Sequence, residues 1–187
     1  MPKPPGSKAP PDIRPQYDAL GVKGFYAAHG AAYRNPHEAT VKTLLETVVL
    51  EWRLDLSAVL DLACGSGEAT LALRALGANV AGIDPYTGAA YLERTGSTVE
   101  PLSFEDIAAG ALESRVYSLV VCSFALHLAP ESRLPTLCWQ LAQVSPALLI
   151  LTPHKRPAIQ AAWGWTLETE TTLERVRARL YRSSPNN

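Results

Sequence analysis

The chain has 187 residues, 47% hydrophobic and 19% charged, with a net charge of -1. A chain of this length buries about two-thirds of its unfolded surface in one domain, and its balanced charge gives no electrostatic case for nucleic acid or membrane as a bulk partner. No run approaches the roughly 18 apolar residues of a membrane span, no signal-peptide core is present, and Cys64, Cys122 and Cys138 lie at wide spacings in apolar contexts; a cytoplasmic protein with buried thiols is expected.

The opening "MPKPPGSKAPPDIRPQ" is rich in proline and has little to bury, so residues 1–16 read as a flexible leader. Residues 17–187 read as one domain: a helical lid over 17–56, a core over 57–152 and a strand pair over 153–187. In the lid, Asn35 is placed to cap a helix, Pro36 fits its first turn and Glu38 supplies a capping-box acid. Val41, Leu44, Leu45, Val48 and Trp52 then share one helical face.

From Ser57 onward, short β-like runs alternate with helical stretches. The strand candidates are "AVLDLA", "NVAGID", "TVEPLS", "VYSLVVCS" and "ALLILT"; the helical stretches between them are "EATLALRAL", "TGAAYLER", "FEDIAAGAL" and "ESRLPTLCWQLAQ". Strands apolar on both sides that alternate with helices indicate a parallel sheet covered on both faces. Pro135 belongs near a first turn or a kink. After Pro153 a short helix, "RPAIQAAW", is expected, then two runs with period-two alternation, "WTLETETT" and "RVRARLYRS", forming an antiparallel pair at the sheet edge. The fold class is α/β, a three-layer Rossmann-like domain whose mostly parallel sheet ends in an antiparallel hairpin.

In such a sheet, ligands sit at the carboxyl ends of the strands. The turn "ACGSG" lies there and feeds a helix amino terminus, where small residues admit a ligand to the backbone. The third glycine of a dinucleotide fingerprint is missing and no Walker lysine follows. Asp61, just before the bend, suits a cation better than a pyrophosphate, and Asp84, closing the next strand, is placed to accept ribose hydroxyls. A nucleoside with a cationic tail and no phosphate satisfies both acids.

"VLDLACGSG" followed by "GID" resembles the class I S-adenosylmethionine-dependent methyltransferases over roughly Tyr26 to Leu151. In that family the first motif is D/E-x-G-x-G-x-G, and Ala63-Cys64 at the first glycine is a common variant. The resemblance implies S-adenosyl-L-methionine as cofactor; no metal is expected, because no pair of histidines or cysteines has ligand spacing. It implies that Ala63, Gly65 and Gly67 line the methionine part, with Asp61 close by and no room for a β-carbon at Gly67. Asp84 would hold the ribose, and adenine would pack between Pro85 or Tyr86 and the third strand's end near Ser103, Phe104 and Glu105. Ser103, Glu105 and Asp106 are all candidates for the acid that meets the adenine amine. Ser118 stands where the family often has Asp, a local structural substitution. Ser123 ends the fourth strand on the cofactor side.

Methyl transfer needs alignment and exclusion of water more than it needs a particular catalytic group. In "CSFALHLAP", His127 is a candidate base or acceptor ligand; the competing reading packs it beneath a helix or onto a carbonyl. "FYAAHGAAYRNPHE" offers Tyr26, His29, Tyr33, Arg34 and His37 as a lid, with Tyr26 a catalytic candidate and Arg34 a partner for the cofactor carboxylate; each is equally readable as a surface or capping residue. His154, Lys155 and Arg156 fall near the same rim. The histidines lie in separate elements without zinc spacing. The expected activity is methyl transfer to a small molecule. A stripe of Arg175, Arg177 and Arg179 on one strand face keeps RNA or protein acceptors open, and a non-catalytic cofactor-binding subunit fits the same motif.

Overall fold

The computed structural model describes residues 35–184; the leader and the first part of the lid, including Tyr26, His29, Tyr33 and Arg34, lie outside them. The first described helix is α1 (Glu38–Glu51). The core then runs β1 (Val59–Leu62), α2 (Glu68–Ala75), β2 (Val80–Ile83), α3 (Gly88–Thr95), α4 (Phe104–Ala108), β3 (Leu119–Ser123), α5 (Leu134–Val144) and β4 (Ala147–Thr152). The hairpin β5 (Trp165–Leu173) and β6 (Val176–Ser183) follows. The strand order is β2-β1-β3-β4-β6-β5: the first four strands are parallel, β6 runs antiparallel to β4, and β5 antiparallel to β6.

Period-two alternation divides the apolar side chains between two faces. Leu60, Val120, Cys122, Leu148 and Ile150 pack beneath α4 and α5 with Leu137, Leu141 and Trp165. Val59, Leu119, Val121, Leu149 and Leu151 face α1 and α2, meeting Val41, Leu44, Leu45, Val48 and Leu73. Trp165 is buried, and its indole Nε1 donates to the Cys138 carbonyl at 2.8 Å, which satisfies a polar atom the core would otherwise strand. All three cysteines are free and buried. No described helix is long and apolar enough to cross a membrane.

Four local expectations are corrected. "TVEPLS" is not a strand; Glu100 alone makes a parallel bridge to Ile83, and Pro101 has no N–H to extend the ladder. "RPAIQAAW" is not a helix but irregular chain with a cis Arg156–Pro157 bond and one 3-10 turn at Ala161–Trp163. Asn35 does not cap α1: His37 occupies the N-cap, and the Asn35 Oδ1 accepts the His37 N–H at 2.9 Å one turn early. Arg175 is not on the strand face. With Glu174 it forms the hairpin turn, both at positive φ (71° and 47°), as a tight turn matched to strand twist requires. Pro135 does sit in the first turn of α5. Ser118 is structural: its hydroxyl accepts the Ala58 N–H and lies 2.8 Å from the Asp55 carbonyl.

Candidate active site

A cavity of about 220 Å³ opens at the carboxyl ends of β1, β2 and β3. Ala63, Gly65, Asp84, Pro85, Phe104, Glu105 and Ser123 line it, so seven sequence-derived site residues converge there. The bend that carries Ala63 and Gly65 has a forced backbone. Ala63 and Gly65 take φ of 55° and 56°, and Cys64 N–H closes onto the Ile83 carbonyl at 3.0 Å. Left-handed backbone turns the peptide groups of the bend out of the strand direction and towards the ligand space.

Asp84 holds this bend to β2. It is 7% exposed. Its Oδ1 accepts the N–H groups of Tyr86 (2.8 Å) and Thr87 (3.0 Å), and its Oδ2 accepts the Gly65 N–H at 3.1 Å. Three of its roughly four acceptor positions are used, leaving one on Oδ2 for a ligand hydroxyl. Thr87 Oγ1 adds a 2.6 Å bond to the Gly65 carbonyl. Among the adenine-side candidates, Asp106 is consumed in a capping box with Ser103, whereas Ser103 and Glu105 face the cavity.

Asp61 and Gly67 do not reach the cavity wall. Asp61 is fully buried, its Oδ2 accepting from Thr70 Oγ1 at 2.6 Å; the Tyr91 hydroxyl stands 3.1 Å behind Thr70 and its Oδ1 has no partner. Burial, opposed by the Thr70 bond and reinforced by the charge of Glu68, pushes the Asp61 carboxyl up to about 7. Raised above its unfolded value, this group contributes most stability below about pH 4, and that contribution is lost as pH rises to about 7. Asp61→Asn keeps an acceptor for Thr70 and removes the charge. It should flatten this slope, on the order of 4 kcal/mol for three pKa units, in urea melts at pH 4.5 and 8. A variant with the wild-type slope would place the charged form elsewhere.

Gly67 is the N-cap of α2 at φ 89°, and a β-carbon there would stand 2.5 Å from Thr95 Cγ2 and 3.2 Å from the Tyr91 ring. The neighbours that exclude a side chain are Thr95 and Tyr91 of α3. His127 is exposed, outside the cavity, with its ring 4.5 Å from that of His154. His37 stacks on Phe124 with centroids 5.0 Å apart.

Sequence reasoning missed Phe124, Glu68 and Asn35. Phe124 lines the cavity at φ 57°, a left-handed backbone rare for an aromatic residue and of the kind that gathers at functional sites. Glu68 and Asn35 also line the cavity, joined by Asn35 N–H to Glu68 Oε1 at 3.1 Å. No group of three metal-ligating side chains is present among the described residues.

The family model described as a methyltransferase domain matches residues 59–145. An uncharacterized protein of Schizosaccharomyces pombe is 32% identical, the alignment covering 94% of this chain and 93% of that protein. Solved structures share the fold, among them two methyltransferases. Magnesium protoporphyrin IX methyltransferase from Synechocystis, crystallised with bound SAM, has a TM-score of 0.60 at 19% identity, covering 96% of this chain and 100% of that one. The N-methyltransferase NodS from Bradyrhizobium japonicum, in complex with S-adenosyl-L-homocysteine, has a TM-score of 0.63 at 16% identity, covering 91% and 98%. The open α/β sheet carries at its carboxyl edge a glycine bend braced by the nearly buried Asp84, beside the cavity. The chain belongs to the class I S-adenosylmethionine-dependent methyltransferases.

Proposed function

We propose that the protein transfers the methyl group of S-adenosylmethionine to a small-molecule acceptor in the cytoplasm. The observation that carries this reading is the cavity, whose wall joins the Asp84-braced bend to the apolar side chains of Leu102, Phe104, Phe124 and Leu128. These residues fit the cofactor: one acceptor position of Asp84 remains for a ribose hydroxyl, and Pro85 and Phe104 offer flat apolar surface to adenine. S-adenosylmethionine, when bound, supplies an electrophilic methyl on a sulfonium. The chain's part is to hold the acceptor in line and keep water out. Phe124 and Leu128 supply apolar wall for that purpose, and we assign Tyr26 and His127 to the acceptor side. The small-molecule acceptor named for one structure of the same fold, magnesium protoporphyrin IX, agrees in kind.

A specific observation weakens the RNA alternative. Arg179 pairs with Glu170, Arg177 lies 3.9 Å from the same carboxylate, and Arg182 Nε lies 2.5 Å from Glu168 Oε2. The stripe is laced to acids on β5, leaving little free charge for phosphates. Methyl-transfer screens over small metabolites and total RNA, at two salt concentrations, should therefore label a small molecule. Replacing Arg177, Arg179 and Arg182 with glutamine should leave that labelling within about two-fold, since none of the three lines the cavity. RNA labelling abolished by the triple variant would reverse the assignment. Cofactor binding with no labelling at all would favour a non-catalytic subunit.

A further inference from the structure

Seven positions after Asp61, a second acid is placed as Asp61 was expected to be. Glu68 opens α2, is 6% exposed and lines the cavity. Three donors converge on a single oxygen: Asn35 N–H at 3.1 Å, Ser66 Oγ at 2.5 Å and Arg94 Nη1 at 2.9 Å all meet Oε1. Oε2 makes no hydrogen bond among the described residues. The side chain is locked by one oxygen and presents the other.

Among the described residues, the charge around it is only partly compensated. Arg94 also pairs with Glu38, so one guanidinium serves two carboxylates. The amino terminus of α2 offsets part of the excess, which is why an acid is stable there at all. A carboxylate oxygen that is accessible from a cavity and already free of protein donors keeps its acceptor capacity for a ligand, and a cationic donor also offsets the local excess of negative charge. A sulfonium has no N–H to give. An ammonium has three.

We propose that Glu68 Oε2 is the receptor for the α-ammonium of the cofactor's amino-acid arm. Asp61 cannot fill that role, because it is off the cavity wall and burial favours its neutral form. The inference rests on the reading of the cavity as the S-adenosylmethionine site.

Two ligands separate the inference from that reading. S-adenosylhomocysteine carries the amino-acid arm without the sulfonium, and 5′-methylthioadenosine has the nucleoside and thioether but no arm. Calorimetric titration of Glu68→Gln should show S-adenosylhomocysteine weakened about tenfold or more, the range of a hydrogen bond to a charged group, with methylthioadenosine unchanged within about two-fold. Thermal melts establish that the variant is folded. If it is not, Glu68→Asp, which keeps the charge but shortens the reach, should show the same selective loss to a smaller degree. Equal weakening of both ligands would mean that Glu68 only braces the Asn35 segment and would overturn the inference while leaving the site intact. Unchanged S-adenosylhomocysteine affinity would overturn it too. Wild-type protein that binds neither ligand would sink the cavity reading as well.

Discussion

Asp84→Asn is expected to lose cofactor binding and much of the fold's stability together. The side chain closes the bend from β2 by accepting three backbone N–H groups. An amide of the same shape has one oxygen, so its NH2 must face either Gly65 N–H or the pair from Tyr86 and Thr87. At least one nearly buried donor is left unsatisfied, costing about 1–3 kcal/mol, and charge assistance is lost on the others. A total of about 3–5 kcal/mol should lower Tm by roughly 10 °C at this size. Affinity for S-adenosylhomocysteine should fall by about a hundredfold, because the ribose acceptor and the bend geometry go at once. Denaturant melts and calorimetry on one preparation measure both. A variant of wild-type stability that merely binds about tenfold more weakly would show that Asp84 contacts the ribose without holding the bend.

Gly67→Val should destabilise the protein by about 2–5 kcal/mol and impair binding only as a consequence. A β-branched residue at φ 89° carries about 1–2 kcal/mol of backbone strain, and its β-carbon, 2.5 Å from Thr95 Cγ2, forces α2 and α3 apart at about 1–3 kcal/mol more. Thr95→Ala removes the nearest atom and should restore part of the loss in the double variant. The opposite pattern would show that the glycine faces the ligand: unchanged stability, abolished binding and no rescue by Thr95→Ala.

The architecture was legible because fully covered strands write themselves as continuous apolar runs. "ALLILT" is buried at every position of β4, and no helix of the surface type would read that way. "TVEPLS" misled because it meets β2 by a single bridge, and one bridge leaves the same mark on a sequence as a ladder. At the site, Gly65 and Asp84 were legible because their roles belong to the backbone bend. The side-chain roles were not. The motif places Asp61 at a strand end without saying which way its carboxylate points, and in the fold it points at Thr70. An acid at the start of a helix, like Glu68, is accounted for by the helix dipole alone, so nothing in its neighbours marks it as facing a cavity. Phe124 carries no local sign of its left-handed backbone, since that conformation is imposed by the turn out of β3.

The place of β6 has a consequence for how the chain is made. It is the last of the described strands, yet it lies inside the sheet, paired along Ala147–Thr152 on one side and along β5 on the other. While the ribosome still holds residues from Val176 onward, the apolar β4 has an open edge and the parallel half of the sheet stands unfinished. Completion of the sheet therefore waits for β6, whatever the order in which the preceding strands pair. A chain stopped in the hairpin turn would keep the whole glycine bend and still be an aggregation hazard, because the strand that silences its most apolar edge would never have been synthesised.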